Sequence, residues 1–437
     1  MHTRTFALPL PDSIDHADLV TRRERLLLIL AAFFVGVAHV GTTLARRLPP
    51  GELWTFAVWL AAALLGTRFL NRRLPHRDPY LFPVVMLLSG WSLALLERVA
   101  PVFSGRQTLW LIVAVGMLLL VTALSADLRW LSGYRYLWLG GGLALLAVTI
   151  IAGRNPTDHG PRLWLGVEGV FFQPSELLKI ILVVFIASYF AEHRLYTLGS
   201  GRAAAGEPRS LVWLARFFAP LALMWGISVV ILIWQRDLGT AALFFLVFLA
   251  MLYLAQGRAT LLVGGLGLFA IVGMIAYLAV DLVRLRIDIW LNPWRDPRGD
   301  AFQIVQSLMA VASGGLFGQG AGHGSPTYVP VVHSDFIFAA VAEEWGLIGG
   351  LAVVMLIAFL VLRGLRLAML HSGRPFRAYL AAGISLMIGI QSILILGGIL
   401  KVIPLTGVTL PFLSYGGSSL LISFVMIGLL LVLSAEV

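Results

Sequence analysis

Glu176 and Lys179 stand three residues apart in an apolar run that opens with Gln173-Pro174-Ser175. Proline suits the first turn of a helix, and side chains three apart on a helix share a face. Ionisable groups within a membrane span are costly and mark functional sites by default. The pair reads either as a self-neutralising structural bridge or as the polar wall of a cavity. Arg162, Trp164 and Gln173, just upstream on the outer side, favour the wall. A second carboxylate, Asp237, falls in Gln235-Arg236-Asp237-Leu238-Gly239, a break between two apolar helices that is too short for a free loop. That places it at or just below the outer interface, as a turn residue or as part of the same cavity. A third, Asp296, lies in Asn292-Pro293-Trp294-Arg295-Asp296-Pro297-Arg298-Gly299-Asp300. Loop chemistry alone makes it a turn-former before proline. Gln306 follows on a short amphipathic helix, Ile304 to Leu308, and a glycine-rich run, Gly314 to Gly324, comes next. Glu343-Glu344 read as capping or packing residues at the outer end of a span before they read as a cation site.

The elements that position these groups are transmembrane helices. Of 437 residues, 59% are hydrophobic and 12% charged, against about 25% charged in average soluble chains. Uncharged stretches long enough for a hydrocarbon core of about 30 Å recur throughout. The fold class is therefore all-α, a polytopic helical bundle of twelve spans near 26–45, 52–70, 79–97, 107–125, 135–153, 174–191, 211–234, 238–256, 259–281, 334–362, 376–400 and 417–435, with a long outer loop, 282–333. The segment Lys401 to Ser419 is apolar yet carries Pro404, Pro411 and several glycines, which predicts a non-helical cavity wall or re-entrant turn. Residues 1–25 are polar and read as a cytoplasmic tail with no signal peptide. The arginines at 22–25, 72–77, 194–209 and 363–377 set both termini inside and the long loop outside.

The net charge of +10 comes from basic residues in short loops between apolar runs, the pattern of topology signals and anionic headgroups rather than of nucleic-acid binding. The chain has no cysteine, which excludes disulfides and thiolate chemistry. His323 and His333 are ten apart with no metal-site spacing, and no phosphate-binding loop, nucleophile elbow or dinucleotide fingerprint exists.

Five segments together resemble the shape, elongation, division and sporulation family of bacterial cell-wall synthases, which includes RodA and FtsW. They are GPRLWLGVEGVFFQPSELLK (160–179), QRDLGTA (235–241), NPWRDPRGDAFQIVQSLMAVASGGLFGQG (292–320), VHSDFIFAAVAEEWGLIGG (332–350) and IPLTGVTLPFLSYGGSSLL (403–421). The resemblance implies a ten-helix core over 79–437 preceded by two additional helices in 26–78. QRDLG departs from the commoner QPDLG at Arg236. The NPW.DP opening looks FtsW-like, whereas the added helices look RodA-like. The implied activity is polymerisation of lipid II into glycan strands at the outer face of the bacterial cytoplasmic membrane. Asp296 becomes the expected catalytic carboxylate, and Arg162, Trp164, Gln173, Glu176, Lys179, Asp237, Gln306 and Glu343 the expected substrate contacts. The positive charge for the pyrophosphate leaving group is expected from Arg162 and nearby arginines. No cofactor is firmly implied, a divalent cation is left open, and the expected partner is a class B penicillin-binding protein transpeptidase. The competing expectation is a lipid II flippase, which broken helices and buried charges suit equally well.

Overall fold

The computed structural model describes residues 16–45, 53–124, 128–155, 162–167, 170–192, 226, 229–230 and 233–436. In chain order the helices are α1 (His16–Ala45), α2 (Trp54–Arg73), α3 (Leu81–Val99), α4 (Pro101–Leu124), the short α5 (Arg129–Gly133), α6 (Arg135–Ala152) and α7 (Pro174–Glu192). They continue as α8 (Leu238–Gln256), α9 (Ala259–Ala279), α10 (Asp281–Leu291), α11 (Phe302–Gly314), α12 (Ile337–Leu370), α13 (Pro375–Ile399) and α14 (Gly417–Ser434). An antiparallel hairpin, β1 (Leu165–Val167) with β2 (Val170–Phe172), leads directly into α7.

Among the described residues ten helices are long and apolar enough to cross a membrane. They match ten of the twelve expected spans. The expected span 52–70 is the helix α2, whose Arg68 and Asn71 lower its apolar content below that of the ten. The expected span 211–234 lies outside the described residues save its last few positions. Helices α3, α7 and α14 are buried along almost their whole length, and α12 and α13 pack against each other and around them. Helix α9 buries no residue and touches the bundle through α8 and α10.

The long loop 282–333 contains more helix than expected. The amphipathic helix runs from Phe302 to Gly314, and a second helix, α10, covers Asp281–Leu291. Residues 283–289 alternate apolar and polar, a strand-like period. Without a neighbouring edge to bond, a strand there would leave its backbone unpaired, and the helix satisfies it internally.

Helix α12 is interrupted at Gly346 (φ 66°, ψ −166°). An interruption frees backbone groups that a helix would pair, and the glycine-rich run supplies the partners. Gln319 and Gly320 donate to the carbonyls of Glu343 and Glu344 at 2.9 and 3.0 Å, while the N–H of Leu347 donates to the Gly315 carbonyl at 2.9 Å. Glycine is required where they meet, because a Cβ on Gly346 would lie 2.3 Å from the Gly318 nitrogen.

The segment after α13 is non-helical over residues 401–416, and Val408 and Leu410 to Ser414 are buried. Its backbone is satisfied from outside. Trp290 Nε1 donates to the Lys401 carbonyl (3.1 Å), Gln391 to Thr409 (2.7 Å) and Ser92 to Leu413 (2.6 Å). Irregular backbone persists at membrane depth where protein groups satisfy it in this way.

The first two helices are built into the bundle, α1 against α3 and α2 against α4. Arg77, fully buried, donates to both oxygens of the equally buried Glu24 at 2.9 and 2.6 Å, and Thr55 of α2 donates to Glu97 of α3.

Candidate active site

The N-terminus of α7 gathers polar groups from four parts of the chain. Lys179 Nζ donates to the two oxygens of Glu176 at 2.8 and 2.7 Å and to Gln391 Oε1 of α13 at 3.0 Å. Both charges are buried, Lys179 at 2% exposure and Glu176 at 7%. Gln391 in turn grips the Thr409 carbonyl, and Thr409 Oγ1 meets Ser419 Oγ at 2.8 Å. The expected pair is therefore a three-sided junction between α7, α13 and the irregular 401–416 segment.

Asp237 caps α8. Its Oδ1 accepts from the Thr240 N–H at 3.2 Å, which is the N-cap bond, and its Oδ2 accepts from Ser175 Oγ at 3.2 Å. Ser175 Oγ also accepts from Gln173 Nε2 at 3.0 Å, and the Gln173 N–H donates to Ser418 Oγ at 3.0 Å. The chain makes the tight break through Arg236 in the left-handed region (φ 61°). Gly239 then packs so closely on the irregular segment that a Cβ would lie 2.2 Å from the Thr406 carbonyl oxygen. Gln173, Glu176, Lys179 and Asp237 thus come together, as their types suggested.

The other expected contacts sit elsewhere. Trp164 pairs its backbone with Arg154 (2.8 and 3.2 Å), so Arg162, which is exposed, and Trp164 precede the hairpin that feeds Gln173. Gln306 is half-buried on α11. Glu343 accepts from the Ser325 N–H at 2.7 Å through Oε1, and its buried Oε2 has no hydrogen-bond partner among the described residues. Beside it Glu344 pairs with Arg98 (3.2 Å), whose Nη2 also donates to the Gly324 carbonyl (2.6 Å). This acidic pair anchors the glycine-rich run, as packing residues would.

Asp296 is exposed on the long loop between α9 and α12, after a 3-10 turn over Pro293–Arg295. Its two oxygens accept from the N–H groups of Gly299 (3.1 Å) and Asp300 (3.2 Å). Among the described residues it forms no ion pair with Arg295 or Arg298, and it makes no hydrogen bond to the Glu176–Lys179–Asp237 group. Nor do three or more His, Asp or Glu side chains stand together to hold a metal ion among those residues.

Two groups outside the expected site residues lie beside the buried group. Arg286 of α10 donates through Nη1 to the Thr406 carbonyl at 3.1 Å, and Asp335 faces it across Gly407. Burial pulls the guanidinium down from its usual range, opposed by the charges of Asp335 and Asp237. Burial pushes the Asp335 carboxyl up, opposed by a hydrogen bond from Ser334 and by Arg286. Chemically the region offers an exposed carboxylate on the long loop and, separately, a buried and half-buried set of both signs of charge lined by hydroxyl and amide groups. That combination suits a substrate with sugar hydroxyls and an anionic group.

The model of the FtsW, RodA and SpoVE family, described as cell cycle protein, matches residues 79–437. The peptidoglycan glycosyltransferase RodA of Mycobacterium tuberculosis is 36% identical over 431 residues, covering 94% of this chain and 90% of that protein. The probable peptidoglycan glycosyltransferase FtsW of Geobacter sulfurreducens is 34% identical over 360 residues, covering 81% of this chain and 92% of that protein. A solved structure, described as structural coordination of polymerization and crosslinking by a peptidoglycan synthase complex, superposes with a TM-score of 0.67 at 30% identity. It covers 82% of this chain and 98% of its own.

Proposed function

The chain belongs to the FtsW, RodA and SpoVE family, and from that premise we propose how its residues divide the work of a peptidoglycan glycosyltransferase. It is a multi-pass membrane enzyme. The substrate is lipid II, polymerised at the outer face of the bacterial cytoplasmic membrane with both termini inside. The mycobacterial RodA alignment extends beyond residues 79–437 into the N-terminal pair, which supports an elongation-type role over a division-type one.

In the transfer the acceptor 4-hydroxyl oxygen attacks the anomeric carbon of the growing strand. The bond from that carbon to the diphosphate oxygen breaks, and its electron pair leaves with the diphosphate. The hydroxyl proton passes to the carboxylate of Asp296. The observation that carries this reading is that Asp296, between Pro293 and Pro297 in a matched segment, is an exposed carboxylate held by the N–H groups of Gly299 and Asp300. General-base assistance of this kind is worth about 10² to 10⁴ in rate. Gln173 and Asp237, which are half-buried, face the sugar on the binding wall, and the buried Glu176–Lys179 pair belongs to that wall from behind. Arg162, Trp164, Gln306 and Glu343 stand as contacts nearer the loops. The partner is a class B penicillin-binding protein, consistent with a structural relative described as coordinating polymerization with crosslinking.

Purified chain reconstituted with lipid II, alone and with its cognate transpeptidase, tests the reading. Glycan polymer is the expected product. Facilitated lipid movement across the vesicle membrane with no polymer would assign the fold to a flippase instead.

A further inference from the structure

Arg286 lies outside the residues that the motifs single out, yet its side chain reaches over the irregular 401–416 segment instead of into solvent. One nitrogen, Nη1, is spent on the Thr406 carbonyl at 3.1 Å. No carboxylate comes within ion-pairing distance of the guanidinium among the described residues. Nη2 and Asp335 Oδ2 both border one small space, at 3.7 and 4.0 Å from the point where a side chain on Gly407 would begin. Gly407 has φ +74°, a conformation glycine adopts freely, and the missing Cβ keeps that floor open. The guanidinium and the carboxylate thus flank a shallow cleft open to the surface over the exposed, bare backbone of Gly407. Tethering Thr406 needs only one N–H. It does not explain why a half-buried cation and a half-buried carboxylate border one space and yet make no ion pair with each other among the described residues, which leaves the charge of each available to a ligand.

We propose that this cleft is the subsite for the diphosphate of the polyprenyl-linked donor. Arg286 takes the diphosphate oxygens through its planar fork, and Asp335 accepts a hydrogen bond from a hydroxyl of the attached sugar. The proposal rests on the glycosyltransferase reading and adds the residue that neutralises the leaving group. As the glycosidic bond to the diphosphate breaks, negative charge grows on the departing oxygen beside a cation already fixed in place by Thr406, so little reorganisation is needed.

The test is equilibrium binding of a fluorescent polyprenyl diphosphate to the full chain in zwitterionic nanodiscs, with lipid II polymerisation measured in parallel. Arg286→Gln is expected to weaken binding about tenfold or more, and Arg286→Lys, which keeps the charge but not the fork, about threefold. Arg284→Gln, two residues away and exposed with its side chain on the carbonyls of Tyr277 and Leu278, is expected to bind within about twofold of the parent. Asp335→Asn is expected to retain diphosphate binding and lose polymerisation. Competition by inorganic pyrophosphate and by a polyprenyl monophosphate separates recognition of the diphosphate from recognition of the lipid. Parental binding by Arg286→Lys and by any folded Arg286→Gln would overturn the subsite, as would an equal loss in Arg284→Gln. If Arg286→Gln does not fold, Arg286→Lys decides. Arg286-dependent binding without polymer from the parent would keep the subsite and sink the glycosyltransferase reading. Polymer with Arg286-independent binding would do the reverse.

Discussion

Asp296 offers both carboxylate oxygens to the N–H groups of Gly299 and Asp300, so the bonds that make it a turn residue also fix the direction in which it faces solvent. The turn-forming and catalytic readings of an aspartate before proline are therefore compatible. Gly299 lies so close beneath it that a Cβ would fall 2.0 Å from Asp296 Oδ2. Because that atom ends a rotatable side chain, Gly299→Ala is expected to leave thermal stability nearly unchanged while it swings the carboxylate aside. A misplacement on the order of 1 Å can cost on the order of 10²-fold in rate, and kcat for polymerisation checks it. The buried pair responds differently. Lys179→Ala strands Glu176 among α7, α13 and the irregular segment, at a cost of about 3 to 5 kcal/mol if it stays charged. Glu176→Gln with Lys179→Met is expected to recover folding, read as a melting temperature, better than activity. Full activity in that double variant would reduce the pair to structural glue. The types and local spacing of Glu176, Lys179, Asp237 and Asp296 were legible in the sequence. Gln391, 212 residues from Lys179, and Arg286 and Asp335 were not, because what brings them to the site is the approach of a backbone segment and no local pattern records it.

At the scale of elements, hydropathy alone locates ten of the twelve expected spans, because length and apolar content are what a bilayer selects. It misplaces ends where a charge belongs to the helix. The expected span 334–362 stops before Arg363, yet α12 continues to Leu370, and Arg363 is accommodated by an ion pair with Asp78 and by the ring of Tyr80. Similarly, α10 was hidden by its strand-like alternation. The interlock of the glycine-rich run with the interrupted α12 was visible only as a concentration of glycines. Its physical need is close approach, since a Cβ on Gly314 would lie 1.9 Å from the Ala342 carbonyl oxygen. Backbone cannot rotate away as a side chain can. Gly314→Ala is therefore expected to push α11 off α12 and to destabilise by about 1 to 3 kcal/mol, the range for overpacking. Faster amide exchange across residues 302–324 would report it, and unchanged exchange there would contradict the interlock.

For the whole molecule, the absence of cysteine makes topology directly measurable. A single cysteine replacing Ser325 is expected to label from outside and one replacing Ser372 only from inside. Labelling of both from one side would invert the span count. The two N-terminal helices are fastened through Glu24–Arg77 and Thr55–Glu97. Glu97 adjoins Arg98, which holds Glu344 and the Gly324 carbonyl at the base of the long loop. Glu24→Ala leaves a buried guanidinium unpaired and is expected to cost about 3 to 5 kcal/mol, read as a lower melting temperature. The central claim is that Asp296 is the carboxylate that takes the proton of the acceptor hydroxyl, and lipid II polymerisation by purified Asp296→Asn chain with its transpeptidase tests it most directly. Asparagine keeps an oxygen for the turn and loses the basic site, so the variant is expected to fold, insert and bind its partner while losing nearly all polymer, about 10² to 10⁴ in rate. Polymerisation within a few-fold of the parent would contradict the account and pass the role to Asp300 or Asp237.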